Sequence, residues 1–314
     1  MRHRKGLLLT LCLLAVLAVL EGALPAAAEL PAADAWPHRI LLPLVSHTSE
    51  RTCAPIPGQM YYAIPVAGMS PDPGIPAERH PDLNLNLRGY SENTIAYRGL
   101  VDYGGAYDIL APRLQDIFAD GHWPGVARVY RVYQWDGQWP GVYGIVPITS
   151  PDVTLAGLNA SDGEILHVPS RPAEIYHDTL TGRHYVAMVL YAAPDRITLK
   201  YTRDDHVITG YTIHIEGICV EPGLLALYRT LEASGRTHLP GLLFGQAIGR
   251  AVGSEVGVAI RDTGTFMDPR SGKDWWQGLT LAGVDIPSLD ASGEEWFQAQ
   301  QQRLDQGTVE NEER

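Results

Sequence analysis

Positive charge is scarce in this chain, which carries 24 Lys and Arg residues against 36 Asp and Glu residues, for a formal net charge of −12. This balance disfavours nucleic acids and anionic lipids as non-specific partners, because both attract basic surfaces. Long apolar runs are scarce too. After residues 7–20 no stretch approaches the ~18 apolar residues that a membrane-spanning helix needs. The sequence therefore predicts no membrane span in the mature protein.

The N-terminus has the composition of a secretory signal peptide. Arg2, Arg4 and Lys5 precede the apolar run at residues 7–20, and small residues follow up to Ala28. We predict a signal peptide over residues 1–28, cleaved after Ala28, and export of the remaining chain to the cell envelope or the extracellular space.

Cysteine is rare as well, with three residues, of which Cys12 lies within the predicted signal peptide. Two thiols in an oxidising compartment usually pair, so Cys53 and Cys219 are predicted to form a disulfide that joins the N-terminal region to the C-terminal half. This pairing leaves no cysteine of the mature chain free as a nucleophile. The alternative is two buried, unpaired thiols.

Several familiar catalytic motifs are missing. The chain has no Gly-x-Ser-x-Gly elbow, and residues 245–249 lack the lysine and the glycine count of a phosphate-binding loop. Asp204 and Asp205 could supply paired acids for glycoside cleavage, but adjacent aspartates between two strands are more often part of a turn. Nucleotide chemistry therefore has no support in the sequence.

The spacing of apolar residues predicts a mainly β protein. The proline-rich residues 29–80 cannot hold long helices, and we interpret them as an N-terminal arm with a short strand at 61–66. A single antiparallel, β-hairpin-rich domain with two or three short helices is predicted for residues 81–285, followed by a short helix and charged tail at 286–314. Alternation and β-branched or aromatic composition predict further strands at 82–88, 126–135, 165–168, 185–191, 197–201, 211–220 and 256–261. Helices are predicted at 109–119 and 222–235.

Short motifs in the C-terminal half follow one another in the order found in a known peptidase family. They are Gly-Tyr-Thr at 210–212, Gly-Gln-Ala-Ile-Gly at 245–249, Ile-Arg at 260–261, Thr-Gly-Thr at 263–265 and Asp-Pro at 268–269. Together they resemble the closing hairpins of lysostaphin-type (LytM-like) zinc endopeptidases. The resemblance implies a lysostaphin-like β fold with a groove edged by Asp108, Glu255, Arg261 and Asp262. Independently of the resemblance, the turn predicted at Thr263 and Gly264 after the strand at 256–261 places Gly264 at a position with positive φ.

The zinc ligands of that family are replaced here. Its His-x-His motif would fall on Glu255, Val256 and Gly257, and the histidine of its first ligand pair would fall on Gly104. Asp108 is the one ligand position retained. Because zinc needs three protein donors and glycine has no side-chain donor, the resemblance implies a metal-free, non-catalytic domain without a cofactor.

A relocated metal site is the alternative. His206, His214 and Glu216 lie in one segment, and His214 and Glu216 would share a face of a strand. Together with Asp108 they could hold zinc for an active hydrolase. A polar face on a partly exposed strand is the commoner interpretation of such residues.

Clustered aromatic residues predict a binding surface, because their rings offer large, rigid and half-polar contacts for glycans or peptides. About half of them are expected to belong to the core instead. The candidates are Trp123, Tyr133, Trp135, Trp139, Trp275 and Trp276.

Taken together, these features predict a secreted, non-catalytic, peptidase-like domain that binds cell-wall peptide, glycan or an extracellular protein. The first alternative is an active zinc-dependent cell-wall endopeptidase with relocated ligands. The second is a structural or adhesive protein of the envelope.

Overall fold

The computed structural model describes residues 53–68, 74–138, 141 and 143–277. The predicted signal peptide, Trp139 and the predicted C-terminal helix and tail lie outside the described residues. Among the described residues, no helix has the length and hydropathy that crossing a bilayer requires.

The described residues form mainly antiparallel strands, which confirms the predicted fold class. The strands are β1 (Tyr62–Pro65), β2 (Tyr90–Glu92), β3 (Val126–Trp135), β4 (Tyr143–Pro147), β5 (Leu155–Asn159), β6 (Ile165–His167), β7 (Tyr176–Asp178), β8 (Arg183–Ala193), β9 (Arg196–Lys200), β10 (Tyr211–Glu216), β11 (Ile218–Val220), β12 (His238–Leu243), β13 (Ala247–Ala251), β14 (Glu255–Asp262) and β15 (Thr265–Met267). The helices are α1 (Pro222–Ala233), α2 (Gly272–Trp275) and the 3₁₀ helices Ala77–Arg79, Leu85–Leu87 and Leu114–Ile117.

Twelve of these strands build one large sheet in the order β1-β12-β8-β9-β10-β14-β5-β3-β2, with β7, β4 and β15 paired to β8, β3 and β14. A second, three-stranded sheet has the order β11-β13-β6. Strand β1, predicted within the proline-rich arm, pairs with β12 from Tyr62 opposite Gly241 to Pro65 opposite His238. The arm therefore contributes an edge strand to the large sheet.

The two faces of the large sheet differ in chemistry, because successive side chains of a strand point to opposite sides. On one face, Ile213, Ile215, Val258 and Ile260 enter the main hydrophobic core, where Leu224 of α1 is also buried. The register of pairing places mostly polar side chains on the other face, which we call the polar face. Its members are Arg196, Thr198, Lys200, Thr212, His214, Glu216, Glu255, Gly257, Ala259, Arg261, Leu155, Gly157, Arg128 and Tyr130.

Residues 82–90 cover part of the polar face, and we call them the covering segment. Asp82 accepts a hydrogen bond from Arg261 at 2.7 Å, the Thr198 hydroxyl donates to the carbonyl of Leu83 at 2.6 Å, and Arg196 donates to Asn84 at 3.2 Å. Lys200 and His214 are buried beneath this layer. One face of an antiparallel sheet is commonly exposed to water. Here that face is the polar face, and it is largely covered.

The prediction of a strand at 82–88 is wrong. Its backbone bonds are local: Asn84 N–H donates to His80 and Arg88 N–H donates to Leu85, within turns and the 3₁₀ helix Leu85–Leu87. The alternation of Leu with Asp and Asn has another origin. Leu83 and Leu85 are buried, and the polar residue that precedes each of them, Asp82 or Asn84, bonds to an arginine of the polar face.

Two further predicted elements are shorter than expected. The helix predicted at 109–119 is reduced to the 3₁₀ helix Leu114–Ile117, because Arg113 is extended and its N–H donates to the carbonyl of Ser170 at 2.7 Å. The strand predicted at 211–220 breaks at Gly217, whose φ of +74° ends β10 before β11 begins. The helix predicted at 222–235 is α1, and the side chain of Glu221 caps it by accepting from the N–H of Leu224 at 2.9 Å.

The predicted disulfide is present. Cys53 and Cys219 are bonded, with their Cα atoms 5.8 Å apart. The bond connects the first described residue to strand β11 and so anchors the chain ahead of β1.

Candidate functional site

Two glutamates lie at the end of the polar face beyond the 3₁₀ helix of the covering segment. Glu216 of β10 pairs with Gly257 of β14, which pairs in turn with Gly157 of β5. A Cβ atom at Gly157 would overlap the carboxylate of Glu255, so glycine there lets that carboxylate lie flat on the sheet. Glu216 and Glu255 are diagonal neighbours across β10 and β14, an arrangement that spaces Cβ atoms by about 7 Å.

Glu255 is held by two donors. The Tyr130 hydroxyl donates to Oε1 at 2.6 Å and the Nε of Arg128 donates to Oε2 at 2.7 Å. Burial, followed by the hydrogen bond to Glu255, raises the pKa of Tyr130, so this phenol remains a donor at neutral pH. The side chain of Glu255 is 16% exposed, so it is fixed in orientation and still partly open to solvent.

Glu216 has a different environment. Its side chain is 9% exposed, and its charged contact is the Nε of Arg196 at 3.3 Å. Within the described chain its carboxyl group accepts no hydrogen bond. Burial raises the pKa of Glu216 to about 7 despite the attraction of Arg196. Near neutral pH this carboxyl group can therefore either donate or accept a proton.

Tyr90 of β2 completes the group. Its ring meets the ring of Tyr130 edge to face, with centroids 5.3 Å apart. Burial, together with the nearby charges of Glu216 and Glu255 and against that of Arg196, raises the pKa of Tyr90 to about 12, so the phenol stays protonated beside the two carboxyl groups. Arg128, Arg196, Tyr90, Tyr130, Glu216 and Glu255 are called the carboxylate site below.

The groove predicted from the resemblance is not formed by its four residues. Glu255 and Arg261 lie on the polar face, whereas Asp262 follows Arg261 and therefore lies on the opposite face. Glu255 and Asp262 are also the two ends of β14, about 24 Å apart at ~3.4 Å per residue. Asp108 accepts a hydrogen bond from Tyr211 at 2.9 Å, beside the Asp262 end. The register of strand pairing and the alternation of side chains between the two faces separate these four residues. The order of motifs along the sequence reveals neither.

Arg261 binds the covering segment and does not line a groove with the other three residues. Its guanidinium donates to Asp82 at 2.7 Å and to the carbonyl of Gly264 at 2.6 and 2.8 Å. Arg88 also forms an ion pair with Asp82. Although burial opposes ionisation, the two guanidinium groups lower the pKa of Asp82 to about 2.

His214 and Glu216 share a strand face, as predicted, but the structure does not assemble them with His206 into a ligand group. His214 is fully buried, and its Nδ1 lies 3.0 Å from the Thr198 hydroxyl. Burial, then the charges of Arg261 and Arg88, lower the pKa of His214 well below its usual range, and these charges also oppose a metal cation. In the described part of the chain, the one group of three metal-ligand side chains within 4.8 Å is Glu174, His177 and His184.

The predicted aromatic surface is only partly available. Trp275 and Trp276 are core residues, 2% and 0% exposed, whose indole N–H groups donate to the carbonyls of Asp268 and Pro269. Trp123 packs edge to face on Trp276 at 4.5 Å. These three rings therefore stabilise the fold.

Tyr133 and Trp135 remain half-buried on β3. The indole N–H of Trp135 donates to the carbonyl of Gln138, and its ring meets the His80 ring at 5.4 Å. This pair keeps part of its aromatic surface exposed.

The sequence interpretation missed Tyr90, Arg128 and Arg196, and it counted Tyr130 among the clustered aromatic residues without connecting it to Glu255. Alternation along β3 already placed Arg128 and Tyr130 on one face, but their meeting with Glu255 depends on the pairing of β3 with β5 and of β5 with β14. The chain was compared with known protein families, curated proteins and solved structures, and none of the three comparisons found a match.

Proposed function

We propose that the mature chain is a secreted domain of the cell envelope that binds a glycan at the carboxylate site and does not cleave it. The observation that carries the proposal is the pair of diagonal carboxyl groups with different partners. Glu255 is fixed by Tyr130 and Arg128, and Glu216 has a carboxyl group without a hydrogen bond from the described chain.

The site matches the chemistry of a sugar ring. Hydroxyl groups both donate and accept, so they need fixed acceptors and donors close to one another. Glu255 and Glu216 supply acceptors, the partly exposed Arg128 supplies a donor, and the rings of Tyr90 and Tyr130 add half-polar surface. A ligand that bridges the two glutamates would give Glu216 the hydrogen bond that it lacks.

The cellular setting follows from the beginning of the chain and from its disulfide. The signal-peptide composition of residues 1–28 supports export, and the bond between Cys53 and Cys219 suits an oxidising compartment. The motif order shared with lysostaphin-type peptidases supports a target in the cell wall. Because the positions matching its histidine ligands are Glu255 and Gly257, the resemblance also supports binding without zinc chemistry.

Glycoside hydrolysis is the second candidate, and the pKa of Glu216 favours it. A glycosidase needs one carboxylic acid that donates a proton and one carboxylate, separated by roughly 5–9.5 Å. Glu216, with its pKa raised to about 7 by burial, has the property of the acid, and Glu255 occupies the place of the carboxylate. Diagonal neighbours have Cβ atoms about 7 Å apart, so the carboxyl groups of two glutamates can reach such a separation.

The test measures binding to isolated peptidoglycan and to soluble chitotetraose, by co-sedimentation and calorimetry. Glu255→Gln is expected to weaken binding about tenfold to a hundredfold, because it removes a charged acceptor worth about 1.5–3 kcal/mol. The matched control is Asp262→Asn, at the other end of β14 and on the opposite face. Equal binding by Glu255→Gln and the native chain would overturn the proposal.

Three further outcomes separate the alternatives. Release of shorter sugars that stops in Glu216→Gln would establish the hydrolase and contradict binding alone. Retention on peptidoglycan without binding of chitotetraose would point to wall peptide as the ligand and overturn the glycan. Failure to bind either probe would leave the structural or adhesive function and also overturn it.

A further inference from the structure

The hairpin formed by β7 and β8 carries a second cluster of polar side chains, which shares no residue with the carboxylate site. His177 of β7 and His184 of β8 are directly opposite each other, and their rings are stacked with centroids 4.2 Å apart. Glu174, just before β7, places Oε2 at 2.5 Å from Nδ1 of His184. One ligand atom from each residue lies within 4.8 Å of the other two.

The backbone that carries these residues is well braced. Ile175 N–H donates to the carbonyl of Tyr185 at 2.7 Å, which fixes the chain immediately before β7. Tyr176 and Tyr185 form the adjacent cross-strand pair, and their rings stack at 6.0 Å on the opposite side of the hairpin. The backbone that carries the three ligands is therefore fixed before any ion arrives, which lowers the ordering cost of binding.

The turn between the strands is also fixed. Asp178 accepts hydrogen bonds from the N–H of Leu180 at 3.0 Å and from the hydroxyl of Thr181 at 2.5 Å, and Gly182 supplies the positive φ of +68°. This closure holds Asp178 opposite Arg183, one step beyond the histidine pair. The register of His177 against His184 is thus set from both ends.

The cluster is open to ions in solution. Glu174 and His177 are exposed, and the side chain of His184 is 20% exposed. The chain carries a net charge of −12, which raises the concentration of cations near its surface. An ion can reach all three side chains without any movement of the core.

We propose that Glu174, His177 and His184 bind a divalent transition-metal ion of the zinc class. Two imidazole nitrogens and one carboxylate oxygen form the mixed set that zinc accepts, with water in the remaining position. The ion replaces the hydrogen bond between His184 Nδ1 and the Glu174 carboxylate, and the one proton of the neutral His184 ring then lies on Nε2. A doubly protonated ring would release its second proton to solvent. His177 contributes the third bond after a rotation of its ring out of the stack.

The experiment uses the mature, disulfide-bonded chain after treatment with a chelator, titrated with zinc chloride in a calorimeter. One zinc ion per chain is expected, bound at least tenfold more weakly by His177→Ala and by His184→Ala. The matched control is His122→Ala. His122 is also hydrogen-bonded to a carboxylate, that of Asp120. Within the described residues, however, His122 belongs to no group of three metal-ligand side chains. Its zinc affinity is expected to equal that of the native chain.

Melting temperature gives a second reading that separates loss of the site from loss of the fold. Without zinc, His177→Ala should have the same melting temperature as the native chain, because the side chain of His177 is exposed. Excess zinc should raise the melting temperature of the native chain and of His122→Ala, but not that of His177→Ala. Absence of zinc binding, equal affinity in both hairpin variants and the native chain, or an equal loss in His122→Ala would each overturn the proposal. None of these results depends on whether the carboxylate site binds a glycan.

Discussion

At the scale of single residues, the turn between β14 and β15 shows how local chemistry fixes a conformation. Thr263 and Gly264 have φ values of +48° and +84°, and Asp262 pairs with Thr265 across the turn. Two successive positive φ values define a type I′ hairpin, which favours Asn or Asp followed by Gly. The positive φ expected for Gly264 is confirmed.

Replacing Gly264 should strain this turn. Gly264→Val is expected to lower the free energy of unfolding by more than ~1 kcal/mol, because a β-branched residue resists positive φ. The nearest side-chain atom to a new Cβ would be 3.6 Å away, so the cost comes from the backbone and not from a clash. Urea unfolding measures the change. Thr263→Asn is the companion variant and should stabilise the turn, and equal stability of the native chain and Gly264→Val would contradict the strain.

The raised pKa of Glu216 predicts that the stability of the fold depends on pH. Its pKa of about 7 in the folded chain exceeds its ordinary 4.5, so folding tightens its hold on the proton. The resulting stabilisation is complete below pH 4.5 and is lost as the pH rises through 7. Glu216→Gln mimics the neutral acid, and its stability relative to the native chain should rise by about 3 kcal/mol between pH 4 and pH 8.

Urea unfolding of both proteins at several pH values measures that difference, and other titrating groups cancel because both chains contain them. A constant difference across the range would mean that Arg196 keeps Glu216 ionised in the fold. Glu216 was visible in the sequence as a polar strand residue. Its burial was not, since that depends on the covering segment and on pairing with β9 and β14.

At the scale of elements, composition predicted the strands that lie in the core. It failed for segments whose structure depends on the strands with which they pair. Strands β8 and β14 are rich in Val, Ile and Tyr, β9 contains Ile and Thr, and all three were predicted close to their observed bounds. Strand β12 contains Pro240 and Gly241 and was missed, although it pairs with β8 and β1. Alternation at 82–88 indicated a strand, but Asn84 is buried and Leu87 is exposed there, and the backbone bonds within local turns.

The covering segment depends on one carboxylate. Asp82 bonds to Arg261 and Arg88, both buried, so Asp82→Asn leaves two guanidinium groups without their counter-charge. We expect a loss of about 3 kcal/mol in the free energy of unfolding. The control is Asp152→Asn, which removes a half-exposed partner of Arg131 and should cost less than about 1 kcal/mol.

The same carboxylate gives a signature in acid. Because the pKa of Asp82 is lowered from 3.8 to about 2, its contribution is present above pH 3.8 and is lost as the pH falls through 2. Thermal unfolding between pH 2 and pH 6 should bring the native chain and Asp82→Asn closer together at the acid end. Equal costs for Asp82→Asn and Asp152→Asn at neutral pH would show that the segment does not depend on this group.

At the scale of the whole molecule, contacts between distant parts of the chain create the carboxylate site. Tyr90, Tyr130, Glu216 and Glu255 come from four strands, and only the order β10-β14-β5-β3-β2 brings them together. Sequence patterns along one strand cannot specify that order, because β14 pairs with β5, about a hundred residues earlier in the chain, as Gly257 opposite Gly157 shows. The fold class and the disulfide were accessible from composition and cysteine count, whereas the site required the topology.

The disulfide makes the last prediction at this scale. Cys53 and Cys219 are separated by 166 residues, and closing so long a loop in the unfolded chain should stabilise the fold by about 4–5 kcal/mol on chain-entropy grounds. The double variant Cys53→Ser, Cys219→Ser should therefore melt well below the native chain. Because β1 still pairs with β12 after the bond is lost, the variant should nevertheless fold. Native chain treated with reductant should match the double variant, while the double variant itself should not respond to reductant. A melting temperature that neither treatment changes would mean that the strand pairing alone anchors the N-terminal region, and that the cross-link adds nothing to stability.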